Sequence, residues 1–445
     1  MKYETTYKLE NFVLDTKWDD LPSEVRERIK GCFVDLTGAL ITGSRSDQFR
    51  AGLRLAEDAF GLGTVPVVGS DKTFTFIGAA AAMGHSSNAY DIDDGHNLIR
   101  AHPGTSIVGP ILAAALEKNA MRNEFLAALL MGYEVTIRSG VAIMDHYSNP
   151  HSSGTFAPTG IAAGVGRLYG FTKAQLNNCL SVAEFNAPLV DGSRSVGYPS
   201  MNKDGVPFGA MIGALAVREQ LAGFTGNKNL LESEKYSYLI DDLGENYEVM
   251  NLYFKPYSCC RWAHPAIDAC LMLMGDNGIR SEDIESVRIE TFLKATHLST
   301  IVPATADEAQ YNIAYPVAAA IVHGDFGIAQ VHETAVPDSA AVKMMEKLSF
   351  AEDPSLTAQF PAHRICRAVI TTLDGKKYTS PELEPRGEAC ENIGLDWLCK
   401  KFRRVTCPVF AKAGQNRVLE MICSGSDIPV RNIVYEINRP EYRIM

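Results

Sequence analysis

The segment DIDDGHNLIRAHPGT carries Asp91, Asp93, Asp94, His96, Arg100 and His102 within twelve residues. Three carboxylates, two imidazoles and a guanidinium are more than a solvated turn needs, and the run ends in His-Pro-Gly, a turn signal. Asp and His together suit zinc or manganese, but the spacing matches no standard ligand set. A polar loop and an acid/base cluster are the other readings, the second because loops held on a rigid scaffold tend to carry function.

Three more segments could do chemistry. In YSNPHSSGTFAPTG, His151 sits in a polar turn ahead of a small-residue helix, whose free N–H groups favour a carboxylate; a surface-loop histidine is the alternative. In SMNKDGVPFGAM, Lys203 stands at a turn before an apolar helix, as a solvent lysine, an anion clamp, or a base if desolvation lowers its pKa. In FKPYSCCRWAHPAIDA, Lys255, Arg261 and His264 alternate with Tyr257, Trp262 and two cysteines. Cations among large apolar groups suggest a pocket wall at a domain junction. Tyr315, in AQYNIAYPVAAA, reads as packing when taken alone.

No GxSxG, SxxK, P-loop or HExxH run is present, which removes the commonest nucleophile, nucleotide and zinc-protease readings. None of the ten cysteines forms a CxxC pair, so an iron–sulfur or zinc-ribbon framework is disfavoured and ten free thiols in a reducing compartment are expected. The net charge of −11 repels nucleic acid and anionic membrane. An anionic substrate therefore needs a local cationic pocket. The N-terminal residues lack a signal-peptide pattern and no uninterrupted apolar run reaches membrane-span length, so a cytoplasmic protein is expected.

These residues need elements to position them. From Val25 to Leu40 apolar residues recur with a helical period. Further helices are expected in FIGAAAAMGHSS, SIVGPILAAALEKNA, NEFLAALLMGYEVTIRSGVAIM, PTGIAAGVGRLYG and PFGAMIGALAVREQLAGFTG. The glycines of PTGIAAGVGRLYG follow no strand, so they suit close helix packing rather than a nucleotide loop. After about Ala269 the pattern changes: SEDIESVRIETF alternates as a strand, and RAVITTLDGKKYTS reads as a hairpin around Asp374–Gly375. LDWLCKKFRRV returns to helical periodicity. The expectation is a mainly α fold with an α+β insertion: a helical domain over 1–269, an α+β lid over 270–394, and a return to the helical part over 395–445.

Taken together, GHSSNAYDIDDGH…HPGT, HSSGTF…GIAAGVGRLYGF, NKDGVPFGAM…GFTG, FKPYSCCRWAHPAIDA and EAQYNIAYPVAAA resemble the MmgE/PrpD family over nearly the whole chain. The resemblance implies a two-domain protomer, usually a homodimer, with the active site between the domains and no cofactor or metal. It implies catalytic roles for Asp91, His102, His151, Lys203, His264 and Tyr315, with His96, Arg100, Lys255 and Arg261 as substrate-binding candidates. The implied activity is a lyase of the dehydratase type on a small di- or tricarboxylic acid, by proton abstraction next to a carboxylate; epimerisation or decarboxylation of such an acid is the alternative, and a non-catalytic metabolite-binding homologue a further one. Two departures bear on the substrate. Gly95 and His96 follow the DxDD run where the decarboxylases share threonine, and the lysine segment reads KDGVPFGAM rather than KxLHxGxAA.

Overall fold

A computed structural model describes residues 7–147, 152–391 and 393–444. The helices that bear on the site are α1 (Ser23–Gly43), α2 (Phe76–Ser87), α3 (Pro103–Lys118), α4 (Arg122–Tyr147), α5 (Ser153–Leu168), α6 (Lys173–Phe185), α7 (Val206–Leu221), α8 (His264–Asn277), α9 (Ala314–His323) and α10 (Leu395–Thr406). The strands are β1 (Leu62–Pro66), β2 (Thr73–Phe74), β3 (Asp94–His96), β4 (Leu252–Phe254), β5 (Ile284–Thr291), β6 (Leu348–Glu352), β7 (Cys366–Thr372) and β8 (Lys377–Thr379). The chain is mainly α with a smaller α+β region.

Helices α2 to α7 pack into one bundle, with α4 on α5 and α5 on α7 as its closest pairs. Small residues permit that closeness. A Cβ added at Gly160 of α5 would lie 2.3 Å from the Gly132 carbonyl oxygen of α4, a separation no side chain tolerates. Helix α4 is long and apolar enough to cross a membrane by composition, but 94% of that apolar stretch is buried inside the protein. It is a core helix of the bundle.

Two buried apolar clusters divide the chain. The first draws on residues up to Phe254 and again from Ile393 onward. The second runs from Tyr257 to Ile370 and adds Ala89 and Tyr90. Its sheet has the order β6-β5-β7-β8, with β5–β6 parallel and the other two pairs antiparallel. Along β7, Cys366, Ala368, Ile370 and Thr372 face inward, the period-two pattern of a sheet covered on one side. Helix α8 packs on β7 and α9. The second cluster therefore begins ahead of residue 270, because a helix that covers a sheet shares that sheet's core.

The chain re-enters the bundle at α10, which packs along α1. Lys401 of α10 lies buried, its Nζ 2.6 Å from Asp35 Oδ1 of α1 and donating over 2.6 Å to the Ile92 carbonyl oxygen. Burial holds the Asp35 carboxyl up at about 6 despite the adjacent ammonium. Removing one member of a buried pair leaves the other charge without a partner, which costs about 3–5 kcal/mol. Lys401→Ala should therefore lower the urea midpoint by a comparable loss of stability, and Asp35→Leu added to it should recover much of that loss. An unchanged midpoint in the single variant would show that the pair holds nothing together.

Candidate active site

The 91–102 segment leaves α2 and is pinned at each step. Asn88 donates to Asp93 Oδ1 at 2.8 Å. Strand β3 pairs with β4 so that Gly95 faces Tyr253. A side chain at Gly95 would run into the Tyr253 ring; the glycine after the acidic run lets that ring lie flat over the backbone. Asp94 accepts from Tyr133 of α4 and, at 3.0 Å, from the Gly104 N–H. His102 caps α3, with its own N–H donated to Ser153 Oγ at 2.9 Å.

These bonds turn Asp91, Asp93 and His102 toward one another. His102 Nδ1 lies 2.9 Å from the Asp94 carbonyl oxygen and 3.0 Å from Asp93 Oδ2. Its Nε2 is 3.6 Å from Asp204 Oδ2 and 3.8 Å from Asp91 Oδ1. Lys255, one residue beyond β4, puts Nζ 2.6 Å from Asp91 Oδ1. Burial and the Lys255 ammonium oppose a charged imidazole, but Asp93 and Asp91 outweigh them and hold His102 at about 9. Burial raises the Asp204 carboxyl above its ordinary range.

Asp91, His102, Asp204 and Lys255 line one cavity of about 450 Å³. Arg100, Tyr253, Cys260, Arg261, Tyr311 and Arg364 line it as well. Burial pushes the Cys260 thiol up to about 12, so it is no nucleophile at neutral pH. A second cleft of about 500 Å³ near Trp18 and Lys30 shares no lining residue with this one. Asp91, Asp93 and His102 have one ligand atom each within 4.8 Å of the others, so the donor set could hold a metal ion. The Lys255 ammonium already supplies positive charge beside Asp91, where an ion would have to compete with it.

Five of the residues singled out in the sequence thus line one cavity: Asp91, Arg100, His102, Lys255 and Arg261. Four others lie behind its wall. Lys203 is fully buried, its Nζ 2.6 Å from Gln310 Oε1 and 2.7 Å from Asp307 Oδ1; the neighbouring Asp204 takes the cavity position. His96 turns away, to 3.2 Å from Glu248. His264 starts α8 with Nε2 on the Cys259 carbonyl oxygen at 3.0 Å, and burial with Lys255 and Arg261 nearby keeps it neutral. Tyr315 packs against Phe326, and its hydroxyl accepts from the Asp338 N–H. Tyr311, four residues earlier and ahead of α9, is the tyrosine on the cavity. His151 lies outside the described residues.

Sequence reading missed Asp204, Tyr253, Tyr311 and Arg364. Three of them sit within four residues of one that was singled out: Asp204 beside Lys203, Tyr253 two before Lys255, and Tyr311 four before Tyr315. Arg364 has no such neighbour.

Comparison with known proteins decides the family. Residues 7–241 match the MmgE/PrpD N-terminal domain and residues 257–424 the MmgE/PrpD C-terminal domain. This chain belongs to the MmgE/PrpD family. Among its relatives is the cis-aconitate decarboxylase-like protein oryM of Aspergillus oryzae, 24% identical over 94% of each chain. Another is a cis-aconitate decarboxylase of Aspergillus terreus, 24% identical over 91% of this chain and 90% of that one. In this MmgE/PrpD chain Lys255 lies in the stretch between the two matched domains, which end at 241 and begin at 257.

The raised His102 pKa links protonation to stability. A group held above its unfolded value stabilises the fold fully below that value, about 6.5, and loses the contribution as pH rises through about 9. The denaturant midpoint of the parent should therefore fall from about pH 6.5 to about pH 9 more steeply than that of His102→Gln. Parallel profiles would show that the imidazolium is not what the acidic cluster stabilises.

Proposed function

We propose that this MmgE/PrpD chain is a lyase of the dehydratase type acting on a small di- or tricarboxylic acid. One observation carries the reading: His102 Nε2 and Asp204 Oδ2 stand 3.6 Å apart on the wall of one cavity, where the acidic neighbours push the imidazole up to about 9 and burial raises the Asp204 carboxyl. Elimination of water needs that pair. A base takes the proton from the carbon beside a carboxylate, the C–H electrons form the double bond, and the C–O bond breaks as an acid protonates the departing oxygen. Asp204 is assigned as the base and His102 as the acid, since groups pushed away from their ordinary values take such roles. This differs from a neutral His102 acting as base, because Asp93 and Asp91 keep that ring charged. The Lys255 ammonium lies where it would stabilise the enediolate that develops as the proton leaves. Lys203 is assigned to positioning: it ties the turn that carries Asp204 to Asp307 and Gln310.

Decarboxylation is the second reading, favoured by the names of the relatives. The same His102 would then protonate the carbon from which carbon dioxide leaves.

The homodimer that the resemblance implies belongs to the same proposal. Phe208 and Leu215, two turns apart on one face of α7, are exposed apolar side chains and form the candidate contact face. Leu215→Asp should then shift the protein from dimer to monomer in sedimentation; a parent that is already monomeric removes this part.

Each acid/base role is worth about 10²–10⁴-fold in rate, so His102→Gln and Asp204→Asn should each lower kcat by that order with the fold intact. The kcat/KM profile should be bell-shaped, falling above about pH 9 as His102 loses its proton, with an acid limb above the usual carboxylate range. Alkene absorbance without carbon dioxide release marks dehydration, and carbon dioxide release the second reading. Parental kcat in both variants would sink the assignment.

A further inference from the structure

The acid/base cluster accounts for one part of the cavity; another part is cationic. Arg261 is 4% exposed, and its guanidinium lies 3.6 Å from the centroid of the Tyr253 ring. It forms an ion pair with Glu388, while its Nε and Nη1 find no acceptor. Arg364, just ahead of β7, is 6% exposed and lines the same cavity. Its contact is the Phe360 ring, 6.0 Å from the guanidinium carbon. Among the described residues it makes no hydrogen bond or ion pair. The carboxylate near both guanidinium groups, Glu388, is paired with Arg261, and its second oxygen accepts from Asn97 at 3.1 Å. Tyr253 links this region to the other, since its hydroxyl feels Arg261 and Arg364 as well as Lys255 and Asp91.

A buried guanidinium without an anion loses hydration and gains no partner in return. Its planar fork matches a carboxylate. We propose that Arg364, with the free N–H groups of Arg261, forms an anion subsite that takes the carboxylate of the substrate remote from the reacting carbon. This rests on the lyase reading above and deepens it. The site then selects acids with at least two carboxylates, one beside His102 and Asp204 and one on the arginines, and discriminates against monoacids. Lys255, 2.6 Å from Asp91, belongs to the acid/base region, so the second anion falls to the arginines.

The test uses acids that the enzyme would bind without reacting: propane-1,2,3-tricarboxylate and glutarate, with butyrate as the single-carboxylate comparison. Calorimetric titration of the parent, Arg364→Gln and Arg364→Lys should show the tricarboxylate and glutarate binding about tenfold more weakly, or worse, in the glutamine variant, as expected for a lost charged hydrogen bond. Butyrate should bind the two alike, and lysine should restore part of the loss. The melting temperature of unliganded Arg364→Gln should match or exceed the parent's, because an unpartnered buried charge has been removed; a merely structural arginine would lower it. Equal tricarboxylate affinity in parent and Arg364→Gln overturns the subsite, and so does an equal loss for tricarboxylate and butyrate with a lowered melting temperature. If the parent turns over a polycarboxylate in either case, the lyase reading survives alone. A parent that binds none of the polycarboxylates overturns both.

Discussion

The structure depends on accommodating several carboxylates crowded into a mostly buried place. Asp91, Asp93 and Asp94 follow one another almost without a break, all three are buried, and Asp204 and Asp35 lie close by. An uncompensated buried ion costs several kcal/mol, so each needs a counter-group. None of those groups comes from the acidic run itself. Lys255 arrives at the end of β4, His102 at the start of α3, Tyr133 from the middle of α4, and Lys401 from the returning α10. Docking these segments and balancing the carboxylates are therefore one event. The site is not attached to a finished scaffold; its charges are among the reasons the scaffold closes where it does.

Backbone conformation reflects the same constraint. Asp91, Arg100 and Lys203 adopt left-handed φ values of 49°, 49° and 48°. Each such residue costs on the order of 1–3 kcal/mol unless its surroundings over-determine it. Here the surroundings do. Lys255 holds both the carboxylate and the carbonyl oxygen of Asp91. The Lys203 ammonium is held by Asp307 and Gln310, and its carbonyl oxygen accepts from Ser195. The left-handed turn at Lys203 sends its side chain into the protein and leaves Asp204 facing the cavity. A lysine and an aspartate adjacent in sequence thus take opposite sides of one wall.

That division marks what a sequence can disclose. Periodicity reports which side of an element is apolar, so the helices of the bundle, the β5 strand and the β7–β8 hairpin were legible, and with them the mainly α class. Clusters of charge in short segments pointed to the right stretches of chain, since charged residues crowded into apolar surroundings need a reason. What a segment does not carry is its rotation about its own axis. Tyr311 ends one short helix and Tyr315 begins the next, and only the packed fold decides that Tyr315 lies against Phe326 while Tyr311 faces the cavity. His264 and Arg261 are likewise three residues apart, on opposite sides of the wall. Arg364 had no local signal at all: a lone arginine before a strand acquires meaning only when the fold brings it beside Arg261 with no acid to spare.

The net charge of −11 works against an anionic ligand only at a distance. Salt screens exposed charges beyond about 8 Å at physiological ionic strength, so what an approaching acid meets is the local wall. Arg100, Lys294 and His297 share that wall with the two buried arginines, while Asp91 is paired with Lys255 and Asp93 with His102. The field therefore changes sign between the protein surface and the cavity. Low dielectric inside the cavity then strengthens the attraction that screening weakens outside. A substrate with a single negative charge could satisfy either the acid/base cluster or the arginines, and in the second position it would lie away from His102. On the proposed lyase reading, only a molecule long enough and charged enough to engage both regions is held with its reacting carbon beside His102, so recognition and orientation become the same requirement.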